Sequence, residues 1–140
     1  MQPIQTLCLL IGRFLLGLYF ILPAIQKITD FENMSAYMQA HDVPLISVLL
    51  PLTILIQLTA GAALIVGFKG KIAALILAGL TLVISIYMHN FWGMEEGVTR
   101  MHEMQNFVKN MAIMAGLLVV AALGTGEYSI DNRGESKVQN

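Results

Sequence analysis

One apolar run near the start of the chain limits what the whole can become. Residues 4–25 contain no acidic side chain and only one basic one, Arg13, and the run ends at Lys27 and Asp30. A hydrocarbon slab is about 30 Å thick and a helix rises about 1.5 Å per residue, so roughly 20 residues cross it. The run is therefore long enough to span a bilayer. Placing an arginine at that depth costs roughly 2.5–3.5 kcal/mol on insertion scales, so its guanidinium is expected to face protein and not lipid. A single helix cannot meet that demand, and the rest of the chain must supply acceptors from other helices.

The remaining sequence can supply them. Of 140 residues, 56% are hydrophobic and only 12% charged, against about 25% charged in a soluble domain. Four spans are predicted, at about 4–28, 45–67, 72–89 and 106–123, giving one all-α integral membrane four-helix bundle over residues 1–140. The net charge of −1 offers no attraction for nucleic acid. Cys8 is the single cysteine, so it cannot form an intrachain disulfide, and it reads as a small packing residue. Residues 1–6 have no basic side chain and no small-residue cleavage site follows the first run, so that run is expected to be retained and not removed as a signal peptide.

Taken in order, the first span presents Arg13, Gly17, Phe20, Ala24 and Lys27 on one helical face. Pro23, like Pro51 in the second span, is expected to bend its helix. The polar connection 29–44 is predicted to hold a short interfacial helix, capped by Asn33 or Ser35, with Met34, Tyr37, Met38 and His41 along one side. Residues Ala60, Gly61, Ala62 and Ala63 make a smooth surface for close helix approach. The short turn 67–71 implies an antiparallel hairpin between spans two and three. Residues 87–92 (Tyr-Met-His-Asn-Phe-Trp) read as an interfacial aromatic belt. The connection 93–105 is polar, Ala112 and Gly116 form a small pair in span four, and Gly124 with Gly126 stops that helix. The polar tail, 127–140, is expected to be mobile beyond Asp131. Basic residues near the span ends place Lys69 and Lys71 on the cytoplasmic side together with both termini.

Two constellations carry chemical content. Counted from the cytoplasmic ends of their spans, Arg13 and Gln57 both fall roughly 15 Å deep, so Gln57 is the predicted acceptor for Arg13, helped by carbonyls that Pro23 or Pro51 frees. The pair either binds an anionic or carbonyl-bearing ligand or is a structural hydrogen bond. On the other side of the membrane, Lys27, His89, Asn90, Lys109 and Asn110 gather among Tyr87, Phe91 and Trp92. These lysines either snorkel to lipid phosphates, pair with Glu95, Glu96 or Glu103, or line an outer pocket for a quinone head group or a lipid phosphate. The ligand-binding candidates are thus Arg13, Gln57, Lys27, His89, Trp92, Lys109 and Asn110. A haem between helices wants two facing histidines, and only His89 lies near a span. No HExxH or comparable spacing points to a metal, and nucleophilic catalysis has no candidate.

Several of these stretches resemble the DoxX family of small bacterial and archaeal membrane proteins. The matching pieces are R-F-L-L-G-L-Y-F (13–20), K-x-x-D-F (27–31), L-x-x-G-A-A-L-I-V-G-F before a basic turn (58–69), H-N-F-W (89–92), F-V-K-N-M-A (107–112) and G-T-G-E-Y-S-I-D (124–131). The resemblance implies a four-helix membrane bundle that serves as an accessory subunit of a redox system, since relatives belong to quinol-oxidase and thiosulfate:quinone oxidoreductase complexes. Many members carry a glutamate in the second helix where this chain has Gln57, which removes an Arg–Glu pair from the expectation. The expected function is a redox-module subunit in the cytoplasmic (inner) membrane that binds quinone or anchors a partner oxidoreductase. A lipid- or small-molecule-binding protein or assembly factor is the alternative. The expected surroundings are the lipid bilayer and a partner oxidoreductase subunit, and the broad apolar helix faces leave room for a homo-oligomer without fixing its number.

Overall fold

In the computed structural model, the backbone of residues 2–138 and the side chains of residues 2–134 are described. The elements are α1 (Pro3–Thr29), α2 (Phe31–Ala40), α3 (Ile46–Val66), α4 (Gly70–Met88), a 3-10 turn (Phe91–Gly93), α5 (Val98–Leu123) and α6 (Ile130–Val138), with no strand among the described residues. Four of the helices, α1, α3, α4 and α5, are long and apolar enough to cross a membrane. Their outward faces carry exposed aliphatic side chains such as Leu15, Leu55, Leu75 and Val119. In lipid such faces need no cover, whereas every backbone polar group must be satisfied within the helix.

The helices pair as α1 with α3 and α4 with α5, and the α3–α4 hairpin joins the two pairs. Small residues make the first pairing possible. A Cβ added at Gly17 would lie 2.8 Å from the Gly61 carbonyl oxygen, and one at Gly61 would lie 3.2 Å from the Gly17 carbonyl oxygen. The two backbones are therefore almost in contact, and this contact sets the register of α1 against α3. Gly67 ends α3 in the left-handed conformation (φ 72°), as helix C-terminal glycines do. One core cluster, including Phe20, Leu64, Leu77 and Leu117, fills the end of the bundle near Gly67. A second cluster of Ala24, Met38, Leu50, Ile54 and Met88 fills the other end, where α2 lies across it.

α2 matches the expected short helix, with Met38 buried beneath it, but it starts at Phe31 behind Asp30, so Asn33 and Ser35 lie inside it and do not cap it. α5 begins at Val98 and not near 106. Arg100 donates from Nε to the Phe91 carbonyl at 3.2 Å, and Phe107 packs edge-on against both Phe91 and Trp92. Those contacts fasten a first stretch of helix whose polar side chains give it too little hydropathy to be read as part of a span.

The end of the chain also departs from expectation. Residues 130–138 form α6, and the segment before it folds back over the Gly67 turn; residues 139–140 of the expected mobile tail lie outside the described residues. The Asp131 amide donates to the Gly67 carbonyl at 2.8 Å. Its carboxylate accepts from the Lys69 and Gly70 amides at 2.6 and 2.9 Å, capping the free donors at the start of α4.

Arg13 belongs to this clasp and does not meet Gln57. Its side chain is 1% exposed, and Nη2 donates to the Tyr128 carbonyl at 2.7 Å. Asp131 is the carboxylate whose charge acts on it. Nε and Nη1 are buried and have no hydrogen-bond partner among the described residues. The register explains the correction. Arg13 lies four residues to one side of the Gly17–Gly61 contact and Gln57 four residues to the other (17 − 13 and 61 − 57), which separates them by roughly 12 Å at about 1.5 Å per residue. Equal depth counted from the cytoplasmic ends of the two spans requires α1 and α3 to end level with each other, and at this register they do not.

Candidate functional site

At the α2 end of the bundle, among the side chains of the second cluster, lies a partly open cavity of about 380 Å³, walled by α1, α3 and α4, roofed by α2 and bordered by Asn110 of α5. Its walls are mostly apolar, with Phe20, Leu50, Ile56 and Ile84 among them. Leu52 and Val83 line it too and are themselves exposed on the outer surface, so the cavity opens sideways between α3 and α4.

Each helix brings a polar side chain to this space. Lys27 projects from the last turn of α1 and donates from Nζ to Gln57 Oε1 at 3.2 Å. Gln57 sits on the buried face of α3 with Ile54, Gly61 and Leu64. The half-buried ammonium thus has a neutral amide as partner, and among the described residues no carboxylate pairs with it. Tyr37 reaches in from α2; burial and, secondarily, the charge of Glu103 hold its phenol above the ordinary tyrosine range.

A chain of hydrogen bonds ties α1, α5 and α4 below these groups. Tyr19 Oη donates to Asn110 Oδ1 at 2.7 Å, and Asn110 Nδ2 donates to Ser85 Oγ at 3.1 Å. Ser85 and Thr81 each donate back to the carbonyl four residues earlier, both at 2.7 Å. Thr81, Ser85 and Asn110 are buried polar side chains within spans and each has a hydrogen-bond partner, as a low-dielectric interior requires. At the C-terminus of α4, His89 Nδ1 lies 2.6 Å from Glu103 Oε2. A second, shallower hollow lies against the first, lined by Asn106 and Lys109 and sharing Tyr19, His89 and Asn110 with it.

Of the residues singled out from sequence, Lys27, Gln57, His89 and Asn110 come together in the cavity. Lys109 is exposed and borders only the shallow hollow. Trp92 stacks edge-on with Phe91 and Phe107 and does not line the cavity. Arg13 is at the opposite end. Glu103 pairs with His89 and not with a lysine. Tyr19, Thr81 and Ser85 were not foreseen, although hydroxyls four residues apart in an otherwise apolar span are a signal of a polar seam. Among the described residues no three His, Cys, Asp or Glu side chains gather as a metal site would need.

Residues 8–90 match the DoxX family, which is more than half of the chain and covers α1 almost entirely, α2, α3 and α4. The chain belongs to the DoxX family. It is a membrane protein of that family, and two relatives align over nearly its full length. Inner membrane protein YqjF of Escherichia coli is 35% identical over 131 residues, covering 94% of this chain and 95% of the relative. Inner membrane protein YphA of the same organism is 28% identical, covering 92% of this chain and 91% of the relative. More distantly, the ER-derived vesicles protein ERV29 of Saccharomyces cerevisiae is 27% identical over 81 residues, which is 58% of this chain and 26% of the relative. No solved structure matches. Within this DoxX protein, Lys27, Gln57 and His89 lie inside the family match, whereas Glu103 and Asn110 lie beyond it.

Proposed function

We propose that this DoxX protein is an inner-membrane subunit of a redox module and holds a quinone head group in the cavity beneath α2. The observation that carries the reading is Lys27: an ammonium in an apolar cavity whose hydrogen-bond partner is the neutral Gln57 amide. A charge so placed favours a ligand that brings a carbonyl or an anionic oxygen. The cavity, at about 380 Å³, falls within the roughly 300–1,000 Å³ common for small-molecule sites. Its sideways opening past Leu52 and Val83 suits a ligand that arrives dissolved in the bilayer. In this reading Lys27 donates to a ring oxygen, Gln57 positions Lys27, Tyr87 and Tyr37 flank the ring, and no residue here performs catalysis unaided. The inner membranes named for YqjF and YphA supply the location, and Lys69 and Lys71 at the Gly67 end support a cytoplasmic placement of that end.

The sideways opening equally favours a second reading, a phospholipid-binding protein without a redox partner. One measurement separates them. Extracted in native lipid discs and read by mass spectrometry, the protein is expected to carry about one quinone per chain, lost on Lys27→Met with the fold intact. Phospholipid alone, unchanged by that substitution, would remove the quinone reading and leave the lipid one.

A further inference from the structure

We infer that His89 and Glu103 form an oriented imidazole–carboxylate pair that makes the cavity prefer the reduced, hydroxyl-bearing form of its ligand, a quinol over the corresponding quinone. The inference rests on the reading of the cavity as a quinone site and adds the redox form that the site selects.

The argument begins with the 2.6 Å contact between His89 Nδ1 and Glu103 Oε2. An ionised carboxylate can only accept, so Nδ1 carries the ring proton. In the neutral ring the remaining nitrogen, Nε2, then presents a lone pair, and it has no hydrogen-bond partner among the described residues. His89 lines the cavity; Glu103 does not, and acts only through the ring. Both side chains are largely withdrawn from the surface, at 19% and 15% exposed, so the contact is not an open surface pair. A hydroxyl can donate to Nε2, whereas a quinone carbonyl would set lone pair against lone pair. A site built to accept from a hydroxyl discriminates strongly against the analogue that lacks it. Lys27 does not reverse the preference, because either form offers it an acceptor oxygen. Glu103 is therefore a positioning residue: it holds the tautomer that does the selecting.

The test uses the full chain in lipid discs at about pH 8, above the usual histidine range, with a short-chain benzoquinone and its quinol as probes. The wild-type protein is expected to bind the quinol about tenfold more tightly than the quinone, the size of one well-made hydrogen bond to a buried acceptor. In Glu103→Gln both forms still bind, but the ratio approaches one, because an amide can donate to Nδ1 as readily as accept from it. Nitrogen-15 spectra of the His89 ring supply a second readout that does not depend on any variant folding: protonation at Nδ1 alone in the wild type is expected. A ratio near one in the wild type, or a preference untouched by Glu103→Gln, would overturn the inference while leaving quinone binding in place. Failure of both probes to bind would overturn the quinone reading and this inference together.

Discussion

Arg13 and Lys27 sit on the same face of α1 and meet opposite surroundings. Lys27 is left with a neutral partner inside a cavity, while Arg13 donates to a carbonyl brought from the far end of the chain and feels the charge of Asp131 there. Neither outcome is legible from spacing alone, because spacing assigns a face but not the register between helices. Asp131 does two things at once, capping α4 and acting through its charge on Arg13. Asp131→Ala is expected to cost about 2 kcal/mol from the lost cap alone, and more for the uncompensated guanidinium. Arg13→Met should recover part of that loss in the double variant, as a thermodynamic cycle on the detergent-purified protein would show. Tyr37 makes a pH prediction. Its phenol is raised by burial and by Glu103, so the folded protein retains that proton where the unfolded chain has lost it. Its contribution to stability is complete below the ordinary tyrosine value of about 10 and falls away as pH rises through the higher folded value. Unfolding midpoints followed into the alkaline range should therefore decline less steeply in Tyr37→Phe.

The helices themselves were largely readable. The long apolar runs coincide with the four long helices to within a few residues at most ends, and the pattern of Met34, Tyr37 and Met38 falls on α2. Hydropathy failed where α5 starts, since Arg100, His102 and Glu103 lower the average without preventing a helix. It failed again at α6, where the determinant is a set of long-range bonds to the Gly67 turn. How α1 meets α3 is decided by the absence of side chains at two glycines. Gly17→Ala would press a methyl group against the Gly61 carbonyl and the Ile65 side chain, and such overpacking costs about 1–3 kcal/mol. Gly79→Ala, with nothing within 4 Å of its new Cβ, should leave the thermal unfolding midpoint unchanged or raise it. Equal changes at both positions would show that close approach to α3 is not what the Gly17 position responds to, since the gain in helix propensity is common to both.

For the whole molecule, the clasp puts the start of α1 and the segment after α5 at one end: Thr6 donates to Glu127 at 3.3 Å across the bundle. The cavity and α2 occupy the other end. Placed with the Lys69 and Lys71 end toward the cytoplasm, the cavity lies nearer the opposite leaflet. In a Cys8→Ser background, Glu95→Cys should react with a membrane-impermeant maleimide on intact cells and Lys71→Cys should not; the reverse pattern would invert the proposed topology. The division of the site between α1–α4 and α5 explains why the cavity was only half visible in advance. Lys27, His89 and Asn110 stood out as polar residues at span ends, but the Tyr19–Asn110–Ser85 bonds depend on α5 being docked against α4.

The Arg13–Tyr128 hydrogen bond joins residues 115 positions apart, and that distance has a consequence for biosynthesis. A ribosome delivers the guanidinium to the membrane long before it delivers the carbonyl that receives it. Until then the guanidinium sits in its span without that partner, at a cost of roughly 2.5–3.5 kcal/mol on insertion scales. Closure of the clasp then doubles as a completion signal, because a nascent chain halted before Tyr128 carries a buried, unsatisfied cation. Such a truncated chain should insert normally yet disappear faster than the full-length protein in a pulse-chase experiment, and Arg13→Met should restore its lifetime.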